Sequence, residues 1–253
     1  MTVSKNGTKG IRKMHRAKIA VFAYNFPHKK TQDILLRLFL EGYPIEVVLA
    51  ADPVKLNIPP ASVRTKVRHE AAVHPRKICE RIGVHYVVVR HNSSETFEIV
   101  RSRGVELGIV AGARILKKPI IDAFPKGIIN FHPGLIPEAR GLDAMLWSII
   151  GDVPLGVTAH LIDERVDAGC ILLRREISLY PDDTVFDLSE RLFETQLDML
   201  VPAIEKALAG NCKPVAVRSS ANRKMPPELE RAALDKLAEY LSKMSRRMEG
   251  ADT

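Results

Sequence analysis

Residues 18–51 read KIAVFAYNFPHKKTQDILLRLFLEGYPIEVVLAA, and this stretch decides the class of fold. Its two ends, 18–24 and 44–51, are short apolar runs with the length and composition of buried β-strands. Between them, residues 31–41 carry apolar side chains at helical spacing and stop at Gly42. Apolar strands joined through a helix are typical of a parallel sheet covered by helices. The start of the chain therefore predicts an α/β protein.

The same alternation continues to about residue 112. Apolar runs predict strands at 84–89 and 105–112, with helices at 69–82 and 94–103. The regular alternation of strands and helices then ends. The next predicted elements are a strand at 127–131, a loop at 132–141, a helix at 142–150, and two strands without a helix between them, at 155–162 and 170–177. We therefore predict a mostly parallel, twisted sheet with helices on both faces.

The last part of the chain predicts helices. Asp182 and Asp183 are the expected cap of a long helix at 184–209, which ends before Gly210. An extended piece is expected at 214–218, followed by a helix at 227–248. This last helix is expected to cover an edge of the sheet or to join a homodimer.

The net charge of +8 is concentrated towards the two ends of the chain. Basic side chains are frequent in the first 18 residues and again between residues 218 and 247. Basic termini are more often solvated than bound to nucleic acid, so a nucleic-acid partner is not expected. A basic protein suits anionic small molecules equally well.

The three cysteines, Cys79, Cys170 and Cys212, show no C-x-x-C spacing. This pattern suggests neither a disulfide framework nor a zinc site, and it predicts a reducing, cytoplasmic location. The early apolar stretch 19–26 ends at Pro27 and is too short to span a membrane. No later apolar run reaches that length, so no membrane partner is expected.

The residues with the clearest chemistry stand at the end of the fifth predicted strand. Asn130 and His132 are two positions apart and project from one face, with Phe131 turned to the other. Open α/β sheets bind ligands at the carboxyl ends of their strands. An amide can donate to a developing oxyanion, and an imidazole can transfer a proton near neutral pH, so the pair suits acyl transfer. By itself, an Asn-x-His pair is more often structural or part of a metal site.

A second group of polar residues follows on the next predicted strand. Thr158 and His160 share one face of this strand, and Asp167 comes seven residues after His160. A carboxylate near His132 would orient its imidazole and favour the protonated form. The alternative is that the Asp-Ala-Gly sequence is an ordinary turn.

Together these motifs resemble the 10-formyltetrahydrofolate-dependent formyltransferase family, which includes glycinamide ribonucleotide, methionyl-tRNA and nucleotide-sugar formyltransferases. The family pattern is N-x-H-P, a loop ending in R-G, a G-V-T-x-H strand and an Asp seven residues later. Here it is matched by NFHPGLIPEARG at 130–141, GVTAH at 156–160 and Asp167. The resemblance implies a Rossmann-like fold. It divides the chain into a basic N-terminal tail (1–17), a formyltransferase catalytic domain (18–210) and a short helical C-terminal extension (211–253).

The resemblance also implies roles for these residues. Asn130 would polarise the formyl carbonyl, His132 would assist proton transfer or stabilise the oxyanion, and Asp167 would hold His132 and relay protons. The co-substrate would be 10-formyltetrahydrofolate, with no metal. Two backbone segments and one apolar side chain would hold its pterin ring, namely Arg114, Ile115 and Leu116, then Asp163, Glu164, Arg165 and Val166, and Ile121.

Departures from the family pattern bear on the acceptor. Glycinamide ribonucleotide enzymes carry a glycine-rich phosphate loop after the first strand. This chain reads YNFPHKK at 24–30 and has no glycine there, which argues against that substrate. Lys29 and Lys30 could still contact an anion. The methionyl-tRNA enzymes add a C-terminal domain and the related deformylases an N-terminal one, and we expect neither here. RGLDAMLWS at 140–148 looks most like the nucleotide-sugar enzymes, although its tryptophan could be a plain core residue. The candidate acceptor-binding residues are Tyr24, Asn25, Arg140, Trp147 and His160.

Three hypotheses follow. The first is formyl transfer to a small-molecule amine, with an amino-sugar nucleotide preferred over glycinamide ribonucleotide, an amino acid or a secondary-metabolite intermediate. The second is hydrolysis of the same donor. The third is a nucleic-acid-binding protein built on an inactive formyltransferase scaffold, which the intact set of Asn130, His132 and Asp167 argues against.

Overall fold

The computed structural model describes residues 17–55, 59–165, 167–216 and 220–249. Most of the predicted basic tail lies outside the described residues. So do Val166 and the end of the predicted extended piece near Arg218.

A seven-stranded sheet forms the centre of the described part of the chain. Its strands are β1 (Ile19–Tyr24), β2 (Ile45–Ala51), β3 (His85–Val88), β4 (Leu107–Val110), β5 (Ile128–His132), β6 (Gly156–Leu161) and β7 (Cys170–Glu176). Their order is β3-β2-β1-β4-β5-β6-β7. The strands from β1 to β5 run parallel, whereas β6 is antiparallel to both of its neighbours. The predicted mostly parallel α/β sheet is confirmed.

Helices pack on both faces of this sheet. In the described ranges they are α1 (Lys29–Leu40), α2 (Pro75–Ile82), α3 (Ser94–Ser102), α4 (Lys118–Ile121), α5 (Ala144–Ile150), α6 (Val185–Asp198), α7 (Leu200–Leu208), α8 (Pro227–Asp235) and α9 (Leu237–Glu249). Alternate residues of β1 enter two separate buried clusters, with Val21 in one and Ala20 and Phe22 in the other. This division follows from the two-residue period of a strand.

The helix predicted at 69–82 begins only at Pro75. Proline suits the first turn of a helix and disfavours helical backbone in the residue before it. His74 caps this helix, because its side chain accepts a hydrogen bond from the N–H of Arg76 at 3.2 Å. Residues 59–74, which we call the strap, therefore belong to an irregular connection between β2 and α2.

The helix predicted at 184–209 is two helices, because α6 ends at Asp198 and α7 begins at Leu200. Pro202 explains the break, since it has no N–H to donate to the carbonyl of Asp198 and its ring crowds that carbonyl. The α4 helix was not predicted from the sequence, because a helix of one turn carries little periodic signal.

Other helix boundaries also differ from the predictions. The cap of α6 is Thr184, in a capping box with Asp187, and not Asp182 or Asp183. The helix predicted at 142–150 begins at Ala144, and the one predicted at 227–248 divides into α8 and α9.

Cys170 and Cys212 form a disulfide, which corrects the prediction that the cysteines are unpaired. Their Cα atoms lie 5.5 Å apart, a usual separation for this bond. Two backbone hydrogen bonds of 2.8 Å between Ile171 and Lys213 hold the adjoining segments side by side. Spacing rules look for cysteines that are near neighbours in sequence, and this pair is 42 residues apart. The cysteines therefore no longer support a reducing compartment.

The C-terminal helices pack on their own chain. Helix α8 lies against α5. In α9, the side chain of Tyr240 is fully buried, and its hydroxyl donates to the carbonyl of Val153 at 2.8 Å. Among the described residues, no helix combines the length and the apolar character that a membrane crossing requires.

Candidate active site

Asn130 and His132 lie at the carboxyl end of β5 and face β6. In the antiparallel pairing of these strands, Asn130 is opposite His160, and His132 is opposite Thr158. Residues directly opposite each other in such a pair share a face of the sheet, so the four side chains are neighbours. Phe131 alternates to the other face, where it is fully buried in the core.

Asp167 reaches this group from the connection between β6 and β7. Its backbone adopts a φ of 45°, in the left-handed region that aspartate tolerates better than most residues. Its Oδ2 lies 3.3 Å from Nδ1 of His132, and its Oδ1 lies 3.6 Å from Nε2 of His160. The backbone N–H of Gly141 donates to the same Oδ2 at 3.0 Å. The structure thus brings the three residues predicted as catalytic into one cluster.

Both ring nitrogens of His132 face oxygen atoms. Nδ1 faces Asp167, and Nε2 lies 2.7 Å from the carbonyl oxygen of Ala139. A neutral imidazole can donate from only one of its nitrogens. This closed arrangement is therefore fully hydrogen-bonded only when His132 is protonated, which couples the proton on His132 to the position of the loop after β5.

Burial and neighbouring charges set the protonation of this pair. Burial lowers the pKa of His132 below its ordinary value, and the Asp167 carboxylate and the Ala139 carbonyl oppose this effect without overcoming it. Burial would raise the pKa of Asp167. The contact with His160, the charge of His132 and the N–H of Gly141 outweigh burial and hold that pKa below its ordinary value. At neutral pH, Asp167 is therefore ionised and His132 is able to accept a proton.

His160 lies opposite Asn130 on β6 and is 1% exposed. Its Nε2 is 3.3 Å from the amide nitrogen of Asn130. His160 thus contacts both Asn130 and Asp167, and its predicted part in binding the acceptor stays a prediction.

Thr158 fixes the loop after β5. Its buried hydroxyl donates to the carbonyl of Gly134 at 2.8 Å and accepts from the N–H of Ile136 at 3.0 Å. A Cβ atom at Gly134 would lie 2.7 Å from Nε2 of His132. Glycine is therefore needed for the loop to pass so close to the imidazole.

A groove of about 240 Å³ opens between α4 and the connection from β6 to β7. Four of the residues predicted to hold the pterin ring, Ile121, Asp163, Glu164 and Arg165, line it together with Lys118 and Asp122. An ion pair of 3.0 Å between Arg165 and Asp163 shapes one wall.

The other predicted pterin-binding segment precedes α4. Ile115 is 70% exposed, whereas Leu116 is buried. The guanidinium of Arg114 donates to the carbonyl of Val54 at 3.2 Å. The amide of Asn92 donates to the carbonyl of Ile115 at 2.9 Å, which fixes the backbone of this segment.

Four predicted acceptor residues are held by protein groups. The Tyr24 hydroxyl donates to the carbonyl of Ala113 at 3.0 Å. The Asn25 amide is shared between Asp52 and Tyr86, at 2.7 Å from each. Nε of Arg140 donates to the carbonyl of Asp167 at 2.7 Å, and the Trp147 indole N–H donates to the carbonyl of Arg223 at 3.1 Å.

Lys30 lies beside β5, close enough for its charge to lower the pKa of His132 further. Its ammonium has two oxygen partners among the described residues, both uncharged: Gln196 at 2.8 Å and the carbonyl of Phe131 at 3.4 Å. Burial, and then the charge of Lys66 on the strap, lower the pKa of Lys30 to about 8. The neighbouring Lys29 is instead paired with Asp33.

Comparison with known proteins identifies the family. A model described as formyl transferase matches residues 3–204. Methionyl-tRNA formyltransferase from Desulfotalea psychrophila is 34% identical over 187 residues, which cover 70% of this chain and 54% of that protein. The chain thus spans about half the length of the curated relatives it matches.

Solved structures share the fold at low sequence identity. Glycinamide ribonucleotide transformylase 1 from Symbiobacterium toebii aligns with a TM-score of 0.60 at 22% identity, covering 82% of this chain and 99% of that one. A sugar N-formyltransferase from Shewanella sp FDAARGOS_354 aligns with a TM-score of 0.58 at 18% identity, covering 88% of each chain.

Proposed function

The chain belongs to the formyl transferase family, and from that premise we propose that it transfers a formyl group from 10-formyltetrahydrofolate to a primary amine of a small-molecule acceptor. The observation that carries this proposal is the cluster at the end of β5, where Asp167 lies 3.3 Å from His132 and Asn130 projects from the same face. An amide donor, an imidazole and a carboxylate can together supply the oxyanion stabilisation and proton transfer that acylation of an amine uses.

Each residue of the cluster has a part in the proposed reaction. The amide of Asn130 donates to the formyl oxygen, on which negative charge develops as the amine attacks. His132 accepts the proton that the amine releases and returns it to N10 of the folate as the bond between that nitrogen and the formyl carbon breaks, which frees tetrahydrofolate. The ionised Asp167 orients the imidazole and stabilises its protonated form, in which both ring nitrogens have acceptors.

The groove beside α4 fits the donor. Ile121 offers apolar surface to a flat ring, and residues 163–165 line the same groove. When bound, 10-formyltetrahydrofolate supplies an already activated formyl group, so the protein needs no covalent acyl intermediate.

For the acceptor we favour an amino-sugar nucleotide. A nucleotide carries phosphate groups. Lys30 offers positive charge beside β5, its oxygen partners among the described residues are uncharged, and the charge of Lys66 acts on it. The motif at 140–148, which contains Trp147, supports the same choice. Glycinamide ribonucleotide, an amino acid, a secondary-metabolite intermediate and water are the alternatives. A nucleic-acid acceptor is not favoured, although the sequence relatives carry the name methionyl-tRNA formyltransferase.

A donor-dependent formylation screen tests the proposal. The protein is incubated with 10-formyltetrahydrofolate and, separately, with amino-sugar nucleotides, glycinamide ribonucleotide, amino acids and initiator methionyl-tRNA, and the products are read by mass spectrometry. The proposal predicts one added formyl group on an amino-sugar nucleotide. Equal donor consumption with and without every acceptor would instead favour hydrolysis.

Two further parts of the proposal concern the protein as a whole. We propose that it works in the cytoplasm and forms a homodimer. Sedimentation of the purified protein tests the second, and fractionation of the source cells tests the first.

A further inference from the structure

The C-terminal extension pairs directly with the loop that holds Asp167. The N–H of Asn222 donates to the carbonyl of Arg140 at 2.8 Å, and the N–H of Leu142 donates to the carbonyl of Asn222 at 3.0 Å. Gly141 lies between these bonds, and its own N–H holds Asp167. A Cβ at Gly141, where φ is 89°, would overlap the backbone of Asn222, so only glycine permits this approach.

A network of charged side chains anchors the same part of the extension. The ammonium of Lys224 lies 2.9 Å from Oδ2 of Asp143 and also contacts Glu230. The N–H of Met225 donates to the same Oδ2 at 2.8 Å. Asp143 follows Leu142 and has a φ of 52°. Its carboxylate therefore fixes the backbone at the point where the loop carrying Gly141 enters α5.

Glu230 is the centre of this network. It is 1% exposed, and it accepts hydrogen bonds from Lys224, from the N–H and the hydroxyl of Ser62 at 2.6 Å each, and from the N–H of Val63 at 3.3 Å. Burial would raise the pKa of Glu230, but these donors outweigh it and lower the pKa to about 2. A buried carboxylate with so many donors is held in one place.

Glu230 therefore joins three parts of the molecule. Ser62 and Val63 belong to the strap, Lys224 belongs to the extension, and Asp143 belongs to the loop before α5. The strap is held elsewhere by the N–H of Val73, which donates to the side chain of Gln32 in α1 at 2.8 Å.

We propose that Glu230 is a positioning residue, which acts through Lys224, Asp143 and Gly141 to keep the carboxylate of Asp167 against His132. It does not touch the reacting atoms. Displacing a catalytic group by about 1 Å can cost a rate factor on the order of 10², so a loosened network lowers the rate even in a folded protein. The catalytic part of this proposal rests on the proposed formyl transfer.

Glu230→Gln tests the proposal, with Glu228→Gln as the matched control because Glu228 is exposed in the same turn of α8. Two properties are measured: kcat with the acceptor found in the formylation screen, and the titration of the His132 side chain by NMR. We expect kcat to fall by about 10- to 100-fold in Glu230→Gln. We also expect His132 to titrate at lower pH, since a displaced Asp167 raises its pKa less. Glu228→Gln should change neither.

The charged and titratable groups that face Asp167 are His132, His160 and Arg140, and none of them is altered in these variants. If Glu230→Gln does not fold, Asp143→Asn perturbs the other end of the network and takes its place. A folded variant with wild-type kcat and a wild-type His132 titration overturns the proposal. A shifted titration in a protein that formylates no acceptor leaves the positioning role standing and removes the proposed function.

Discussion

Oδ2 of Asp167 lies 3.3 Å from Nδ1 of His132, while the other ring nitrogen of His132 lies 2.7 Å from the carbonyl of Ala139. The imidazole is therefore held between a carboxylate and a backbone oxygen, and its protonated form satisfies both contacts. Burial works in the opposite direction and keeps the pKa of His132 low in the free protein. Because burial favours the neutral ring, His132 is neutral before it takes a proton, and the contacts with Asp167 and Ala139 then stabilise its protonated form.

The activity should be lost on acidification. The pKa of His132 lies below its ordinary value, so the imidazole is neutral above that pKa and becomes protonated, and unable to accept a proton, as the pH falls through it. The profile of kcat/KM against pH, which reports the free protein, should therefore show an acid limb centred below about pH 6.5. In Asp167→Asn the residual activity should show this limb at still lower pH, because the carboxylate that raises the pKa of His132 is gone. A limb that moves upward would contradict the assignment.

Replacing Thr158 should loosen the loop after β5. Thr158→Val leaves the carbonyl of Gly134 and the N–H of Ile136 without their buried partner, at a cost of about 1–3 kcal/mol in the free energy of unfolding. Thr158→Ser keeps the hydroxyl and should retain most of the stability. Urea unfolding of both variants checks this expectation, and equal losses would show that the hydroxyl is unimportant.

Lys30 should matter for an anionic acceptor. Lys30→Met removes an ammonium that has only uncharged oxygen partners among the described residues, and we expect the KM of the acceptor to rise by about 10-fold. Lys29→Met is the control, because Lys29 is already paired with Asp33. Steady-state kinetics at several salt concentrations measures both variants. The same KM in the two variants would remove Lys30 from the acceptor site.

The disulfide should stabilise the folded chain. It closes a segment of 42 residues, for which chain entropy gives a stabilisation of about 4 kcal/mol. Reductant should therefore lower the urea midpoint of the wild type and leave that of Cys212→Ser unchanged. Peptide mapping without reductant should recover Cys170 linked to Cys212, and failure to find that linked peptide would contradict the pairing.

The parts of the site that could be predicted from the sequence depend on local rules. Asn130 and His132 share a face because strands alternate, and Asp167 follows at a fixed distance from a neighbouring strand. The sheet was predictable for the same reason, since its strands are apolar runs punctuated by helices.

The remaining features depend on contacts between distant segments. Ser62 meets Glu230 across 168 residues of sequence, and Cys170 meets Cys212 across 42, so neither pair leaves a periodic signal. Trp147 was associated with the acceptor by its motif, yet its indole N–H donates to Arg223 of the extension. Such contacts are set by how the extension packs, which spacing alone does not specify.

The central claim is that Asn130, His132 and Asp167 carry out formyl transfer, and kcat/KM in single variants tests it most directly. With 10-formyltetrahydrofolate and the acceptor from the formylation screen, Asn130→Ala, His132→Ala and Asp167→Ala should each lower kcat/KM by at least about 10². His85→Ala, which removes an exposed imidazole on β3, should leave it unchanged. A folded variant of any of the three residues with near-wild-type kcat/KM would contradict the role assigned to that residue.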